Sequence, residues 1–277
     1  MTFFECIQKN NKEYDNSQVN YSILFYLSKK VKNQTDFISF RNNEIDFAYN
    51  DYVSLLKEYY LDKKPLGHII KQVVFNNTPI KLLPMVHCPR NETELLVTNI
   101  QNIIKNDNKL TKVIDLCAGS GCIGISLKNN INKISLSLLE IDDNSIESIM
   151  NNLILNKIQA NIYQDDYFDF IKSSNEKFDV IVINPPYVAK KELDSTMTKY
   201  ENAISFNNSE DEMLFYIEFF NNYQRIINFD HFLIGLEFGY DQKDKINDLI
   251  KENNLSKYAT FYKDYSNHDR FVIIYKN

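Results

Sequence analysis

From residue 89 onward, short apolar runs alternate with segments of helical spacing, and this alternation constrains the fold more than any other feature. Strands that are separated by helices pair in parallel, because each helix returns the chain to the same end of the sheet. The sequence predicts strands at 112–116, 134–140, 160–164, 180–184, 232–238, 259–265 and 271–275. We therefore expect an α/β domain with a largely parallel sheet wound on both faces.

Only residues 266–270 separate the last two predicted strands. This connection is too short for a crossover helix, so the two strands should pair antiparallel and end the sheet. A parallel sheet closed by such a hairpin is typical of Rossmann-like methyltransferases, whereas the sheets of dinucleotide oxidoreductases usually continue in parallel.

The chain before residue 89 has a different pattern. Residues 1–70 carry apolar positions at helical spacing. Two short apolar runs, 72–75 and 80–83, then flank the turn residues Asn76-Asn77-Thr78-Pro79, which predicts a β-hairpin. We divide the chain into a helical domain at 1–70, a β-hairpin linker at 71–88 and a domain at 89–277 that contains the sheet.

Composition excludes several classes of function. The net charge of −6 argues against a general grip on phosphate backbones, so we expect no stable nucleic-acid partner. No apolar run approaches the ~18 residues needed to span a bilayer, and the first residues have no leader pattern, so we expect a cytoplasmic protein without a membrane role. The cysteines have neither disulfide-framework nor zinc-site spacing, which predicts reduced thiols and no metal.

A small-residue loop follows the first strand of the sheet domain and leads into a helix. Gly119, Gly121 and Gly124 form a G-x-G-x-x-G pattern there, and Glu140 follows at the end of the second strand. Glycines let the backbone approach a nucleotide, and an acid at the second strand can accept hydrogen bonds from ribose hydroxyls. The pattern fits both dinucleotides and S-adenosylmethionine, and a solvated strand end is the alternative for Glu140.

Asp115, just before the glycines, favours S-adenosylmethionine. A carboxylate there would face the ammonium and sulfonium groups of that cofactor, but it would repel a pyrophosphate. A turn-capping aspartate is the alternative. Asp165-Asp166-Tyr167-Phe168, after the third strand, could contact adenine through a carboxylate and an aromatic ring, although a plain turn fits the same residues.

The segment Asn184-Pro185-Pro186-Tyr187 ends the fourth strand and indicates chemistry on a planar nitrogen. The Asn184 side-chain oxygen and the Pro185 carbonyl could accept hydrogen bonds from the two N–H groups of an amide or an exocyclic amine. Tyr187 would then stack against the planar group. A strand that ends in a proline turn is the alternative, but this segment and the glycine loop fall at the same edge of the sheet, where open α/β folds bind ligands.

These motifs resemble those of the protein-(glutamine-N5) methyltransferases that modify peptide chain release factors. The most distinctive one is Pro89-Arg90-Asn91-Glu92-Thr93-Glu94, which is similar to the family's P-R-x-x-T-E segment. Residues 65–70 are similar to its linker, Tyr200-Glu201 with Ala203 to its Y-E-P-x-x-A-L segment, and residues 269–272 to its closing D-R-x-V strand. The sequence departs from the family at Asn202, which replaces a proline, at Glu140, where aspartate is commoner, and at residues 207–212, which lack glycines.

The resemblance implies a methyltransferase catalytic domain at 89–277 and a helical domain that recognises the substrate. It also implies that S-adenosylmethionine is the cofactor and that the substrate is the glutamine of the Gly-Gly-Gln motif of a release factor. The cofactor would contact one group of residues: Asp115, Gly119, Gly121, Glu140, Asp166, Tyr167 and Asn184. The substrate would contact a second group, of which Asn184, Pro185 and Tyr187 are the catalytic members: Asn184, Pro185, Pro186, Tyr187, Arg90, Thr93 and Glu94. The departures leave the role of Glu201 open.

Two other functions remain compatible with the sequence. An N6-adenine DNA methyltransferase would use the same pocket for a flipped base, although the acidic charge and the 89–94 segment argue against it. A non-catalytic docking module is the second alternative. For the protein methyltransferase we expect a monomer whose partner is a release factor.

Overall fold

The computed structural model describes residues 1–187, 199–202 and 211–277. It divides into two compact units, Met1–Gln72 and Val73–Asn277. Within the described ranges, no helix is long and apolar enough to cross a membrane.

The first unit consists of short helices, as the spacing of its apolar residues predicts. They span α1 Phe3–Asn11, α2 Ser17–Leu27, α3 Gln34–Phe40, α4 Tyr49–Tyr60 and α5 Leu66–Ile70. Side-chain caps fix where the first three begin: Thr2 forms a capping box with Glu5, and Asn16 and Asn33 accept hydrogen bonds from the first turns of α2 and α3. The apolar faces of α1, α2 and α4 form a common core.

The second unit alternates strands and helices. Its strands are β1 Gln72–Phe75, β2 Thr78–Lys81, β3 Lys112–Leu116, β4 Ser135–Glu140, β5 Asn161–Gln164, β6 Val180–Ile183, β7 Phe232–Glu237, β8 Ala259–Lys263 and β9 Asp269–Lys276. Its helices include α6 Asn91–Asn106, α7 Cys122–Asn130, α8 Asp143–Asn156, α9 Tyr167–Ser173, α10 Leu214–Asn222 and α11 Lys243–Glu252.

Seven of these strands form one sheet in the order β5-β4-β3-β6-β7-β9-β8. The first five are parallel, and β9 is antiparallel to both β7 and β8. The predicted fold, a mostly parallel sheet closed by an antiparallel hairpin, is therefore confirmed. The prediction placed the hairpin connection at 266–270, but it lies at 264–268, because the Asp264 side chain accepts hydrogen bonds from Ser266 and His268 and turns the chain early.

The sheet is buried on both faces because successive side chains of a strand point to opposite sides. In β6, Val180 and Val182 enter one apolar cluster, while Ile181 and Ile183 enter the other. The strand order reverses at β3, which has β4 on one side and β6 on the other. Leu116 is paired with Ile183, so the segments that follow these two strands emerge side by side.

The predicted β-hairpin, β1 and β2, is present but has a tighter turn than the sequence suggested. Only Asn76 and Asn77 connect the strands, with φ of 43° and 59°. Two positive φ values produce a type I′ turn, which asparagine tolerates and which matches the twist of the strands. The second strand therefore begins at Thr78 instead of Ile80. The side chain of Asn152 on α8 makes two hydrogen bonds to the Lys81 backbone and fixes the hairpin against this helix.

Candidate active site

A cavity of about 270 Å³ opens at the carboxyl edge of the sheet. Its walls come from residues 117–120 after β3, Glu140 and Ile141 after β4, residues 165–168 after β5, and residues 184–187 after β6. His87 and Arg90 also line it. The fold therefore brings together the glycine loop and the Asn-Pro-Pro-Tyr segment, which are far apart in sequence.

At two positions of the glycine loop the backbone has a positive φ, which glycine adopts without strain. Gly119 has φ of 55° and Gly121 has φ of 76°. The N–H of Gly119 donates to the Glu140 carboxylate at 2.7 Å, and Gly121 precedes the first turn of α7. Gly119 lines the cavity, whereas Gly121 does not.

The third glycine of the motif has a packing role. A Cβ on Gly124 would lie 2.8 Å from Leu138 Cδ2 and 3.2 Å from Asp115 Cβ. The absence of a side chain lets α7 lie close to β3 and β4. The backbone N–H of Gly124 donates to Asp115 Oδ2 at 2.8 Å, which ties the helix to the strand.

Asp115 lies behind the loop and does not line the cavity. Its side chain is fully buried, and Oδ1 has no hydrogen-bond partner in the described part of the chain. Burial, the largest effect, raises the pKa of Asp115 to about 8, with a smaller contribution from the nearby Glu140. A nearby cation would lower this pKa. The predicted contact between Asp115 and a cationic ligand stays a prediction.

Glu140 does line the cavity, and its carboxylate is held by three backbone N–H groups. Gly119 donates to Oε2, while Ile141 and Asp142 donate to Oε1 at 2.8 and 3.0 Å. Burial raises the pKa of Glu140, and these three bonds oppose that effect. A carboxylate has about four acceptor positions, so one remains for a ligand hydroxyl.

The segment after β5 supplies an acidic and aromatic wall. Asp166 is the N-cap of α9 and accepts from the N–H of Phe168 at 2.7 Å. Tyr167 donates its hydroxyl to the Phe215 carbonyl at 3.0 Å, so its ring is fixed and its hydroxyl is occupied. The rings of Phe168 and Phe215 lie 4.9 Å apart on the same wall. The sequence pointed to Phe168 as part of the segment after β5, but it carried no signal for Phe215.

Asn184, Pro185, Pro186 and Tyr187 all line the cavity. Within the described ranges the Asn184 side chain makes no hydrogen bond, so its amide is available to a ligand. Tyr187 is anchored differently, since its hydroxyl donates to Glu237 Oε1 at 3.3 Å and its carbonyl accepts from Gln242 at 3.3 Å.

The Pro-Arg-x-x-Thr-Glu segment is only partly at the cavity. Arg90 lines it, whereas Thr93 and Glu94 do not. Thr93 is buried and Glu94 is on the first turn of α6. Both residues belong to α6, which begins at Asn91, one residue after Arg90.

Glu201, whose role the sequence left open, holds the cavity wall together. Its buried carboxylate accepts from His87 Nδ1 at 2.7 Å, from Arg90 Nη2 at 2.8 Å and from the Cys88 N–H at 3.3 Å. Burial alone would raise the pKa of Glu201, but these donors and the charge of Arg90 lower it to about 2. The similarity of Tyr200-Glu201 to the family's Y-E-P-x-x-A-L segment was the only sequence signal for this residue. Ala203 and residues 207–210, which also entered the sequence comparison, lie outside the described residues.

The cavity fits S-adenosylmethionine. Carboxylates suited to ribose hydroxyls and aromatic rings suited to adenine line the same space. Behind the glycine loop lies the buried Oδ1 of Asp115, which has no hydrogen-bond partner in the described part of the chain. Ser120 belongs to the glycine loop and lines the cavity, and its buried hydroxyl also has no partner within the described ranges. Across the same ranges, no group of three or more His, Cys, Asp or Glu side chains is arranged to hold a metal ion.

Comparison with known proteins agrees with this fold. The family model "Methyltransferase small domain" matches residues 90–232, more than half of the chain. The ribosomal protein L11 methylase of Lactobacillus delbrueckii subsp. bulgaricus has the same fold, with a TM-score of 0.50 and 18% identity over 72% of this chain and 86% of that one. The protein is an S-adenosylmethionine-dependent methyltransferase.

Two sequence relatives are more specific. The release factor glutamine methyltransferase of Mycoplasma mycoides subsp. mycoides is 32% identical over 234 residues, which are 82% of this chain and 80% of the relative. The ribosomal protein uL3 glutamine methyltransferase of Francisella tularensis subsp. tularensis is 33% identical over 141 residues, 50% of this chain and 44% of that protein. The chain belongs to the family of release factor glutamine methyltransferases.

Proposed function

We propose that this protein methylates the side-chain amide nitrogen of the glutamine in the Gly-Gly-Gln motif of a peptide chain release factor. The observation that carries the proposal is the position of Asn184 and Pro185, which line the same cavity as the glycine loop at the switch point of the sheet. We place the reaction in the cytoplasm, with the enzyme acting as a monomer and without a stable nucleic-acid partner.

Asn184 and Pro185 hold the substrate amide. An amide NH2 has two N–H donors, and the Asn184 side-chain oxygen with the Pro185 carbonyl provides two acceptors. The two prolines fix the backbone and remove competing N–H groups from the segment. Tyr187 then bounds the planar amide on one face.

The other walls of the cavity hold the cofactor. Glu140 would accept from the ribose hydroxyls, Asp166 would accept from the adenine amine, and Phe168 and Phe215 would pack against the adenine ring. Asp115, with Gly119, Gly121, Tyr167 and Asn184, completes the predicted cofactor set, in which Asp115 would act from behind the loop and Gly121 would shape the loop without lining the cavity. Arg90 borders the substrate, and Thr93 and Glu94 support that border from α6.

Bound S-adenosylmethionine supplies an electrophilic methyl group on a sulfonium centre. The chain's own contribution is to align the amide nitrogen with that methyl group and to exclude water. Such alignment can lower a barrier by roughly 7–11 kcal/mol. The oxygens of Asn184 and Pro185 stabilise the positive charge that develops on the nitrogen, which then loses one proton, so no strong base is needed.

The helical unit at 1–70 recognises the body of the release factor, since one glutamine side chain offers too little surface for selectivity. Its exposed apolar side chains include Phe4, Ile38 and Leu61.

Transfer of labelled methyl groups from S-adenosylmethionine tests the proposal. A purified release factor is the substrate, and its variant with an altered Gly-Gly-Gln glutamine, ribosomal protein uL3 and duplex DNA are the comparisons. We expect label in the wild-type factor alone. Label in uL3 alone would show that uL3, and not the release factor, is the substrate. Label in DNA would identify an adenine methyltransferase, and binding of cofactor without any methyl transfer would favour a non-catalytic docking module.

Asn184→Ala tests the role of the segment. We expect turnover to fall by about 100-fold, as when an oriented catalytic hydrogen-bonding group is removed, and cofactor binding to weaken much less than turnover. Asn144→Ala, an exposed change on α8, is the matched control. Unchanged turnover in Asn184→Ala would refute the assignment.

A further inference from the structure

The hydroxyl of Tyr187 is bound to a residue that has no place in the proposed chemistry so far. It donates to Glu237 Oε1 at 3.3 Å. Glu237 is the last residue of β7, at the carboxyl edge of the sheet, and it does not line the cavity. It therefore holds the Tyr187 hydroxyl from outside the cavity lining.

Glu237 is an unusual residue to bury at this position. Its side chain is 2% exposed, and Oε2 has no hydrogen-bond partner in the described part of the chain. An unpaired buried carboxylate is costly, and burial accordingly raises the pKa of Glu237. The raised pKa favours the neutral acid, whose carbonyl oxygen still accepts from the Tyr187 hydroxyl.

Three separate motifs converge on this carboxyl group. Thr93 of the 89–94 segment and Arg270 of the closing strand both lower the pKa of Glu237, so both lie close to it, although neither makes a well-formed hydrogen bond to Oε2. Arg270 is itself held by Asp264, whose Oδ2 accepts from Nε at 3.2 Å and from Nη2 at 3.1 Å. Glu237 thus lies where α6, β7, β9 and the Asn-Pro-Pro-Tyr segment meet.

The cost of this burial needs a compensating role. Among the described residues, the bond to Tyr187 links the Glu237 side chain to a residue that lines the cavity. Tyr187 follows Asn184 by three residues, so a shift of its ring would change the space in which the amide must lie. A displacement of about 1 Å from the reactive geometry can lower a rate by about 100-fold.

We propose that Glu237 is a positioning residue that fixes the ring of Tyr187 against the amide-binding part of the cavity. The inference rests on the proposed function, because it assigns Tyr187 to the substrate amide. It predicts that Glu237 matters for methyl transfer through the Tyr187 hydroxyl and not through the cofactor.

Two substitutions at Glu237 separate positioning from general stability. Glu237→Gln keeps the shape and the carbonyl acceptor, so we expect kcat within about threefold of wild type. Glu237→Leu removes the acceptor at similar volume, so we expect kcat to fall by about 10- to 100-fold while the cofactor Kd stays within about twofold. The rescue by glutamine would not be seen if only the charge of Glu237 mattered.

A double-mutant cycle with Tyr187→Phe tests whether the effect passes through the hydroxyl. We expect Glu237→Leu with Tyr187→Phe to lose no more activity than the worse single variant, because both remove the same bond. Losses that multiply would overturn the proposal. Tyr275 and Asp107 provide a matched pair at the other edge of the sheet, with Tyr275 donating to Asp107 at 2.7 Å, and Asp107→Asn should leave kcat unchanged.

A crystal structure of Glu237→Leu gives a readout that does not depend on the substrate. We expect a displaced or disordered Tyr187 ring in Glu237→Leu and an unmoved ring in Glu237→Gln. An unmoved ring in both would overturn the inference even if wild-type enzyme methylates a release factor. If wild-type enzyme transfers no methyl group to any substrate, the proposed function fails, and the ring position still decides whether Glu237 holds Tyr187.

Discussion

Replacing Glu201 by glutamine should weaken both the fold and the cavity wall. The Glu201 carboxylate is 2% exposed, and it holds His87 and Arg90 beside the cavity. Glutamine has nearly the same shape, but it is neutral and presents an NH2 group to one of these donors. The change therefore removes the charge and mispairs one hydrogen bond without leaving a large void.

The magnitude follows from the pKa of Glu201. A fall from 4.5 to about 2 corresponds to about 3 kcal/mol of stabilisation by the charged form. Because the side chains of Arg90 and His87 are 39% and 33% exposed, solvent screening reduces this figure, and we expect a loss of about 2 kcal/mol. A lowered folded-state pKa contributes stability that is fully present above about pH 4.5 and is lost as the pH falls through about 2.

Urea unfolding followed by circular dichroism at neutral pH measures this loss, with the transition expected at lower urea and the slope unchanged. Methyl transfer should fall by about 10-fold or more, because Arg90 and His87 lose their common anchor. Glu58→Gln is the matched control, since Glu58 pairs with Lys64 in a partly exposed bridge and its loss should cost less than about 1 kcal/mol. Wild-type stability and activity in Glu201→Gln would refute the reasoning.

Two further substitutions test the core of the second unit. Asp115→Asn removes a carboxyl group whose pKa in the folded protein is raised to about 8. The stability of the wild type should therefore fall relative to the variant by about 1.4 kcal/mol per pH unit between about pH 4 and pH 8, as measured by urea unfolding without cofactor. A stability difference that does not change with pH would contradict the buried, neutral Asp115. Gly235→Ala would place a Cβ into Ile100 Cδ1 and 3.1 Å from Leu96 Cδ1, which should cost about 1–3 kcal/mol in thermal unfolding. Ile100→Val in the same chain removes Cδ1 and should recover part of the loss, and no recovery would show that the strain lies elsewhere.

The strands could be predicted from the sequence because each one is a short run of apolar residues, and such a run is a local property of the sequence. The predicted 112–116 matches β3, and the other predicted sheet strands differ from the observed ones by one or two residues, at one end or, for β9, at both ends. The errors fall where a side chain or a turn residue ends the strand, as at Asp264 or at Asn76 and Asn77, and periodicity does not register those groups.

The sequence by itself determined the α/β order, the antiparallel ending, the glycine loop and the Asn-Pro-Pro-Tyr segment, because each depends on neighbouring residues. Only the tertiary structure decided which acids reach the cavity. It places Glu140 on the wall, Asp115 behind the loop, and Glu201 across from residues more than 110 positions earlier in the chain. Such long-range contacts depend on how helices pack against the sheet, and local spacing carries no information about that packing.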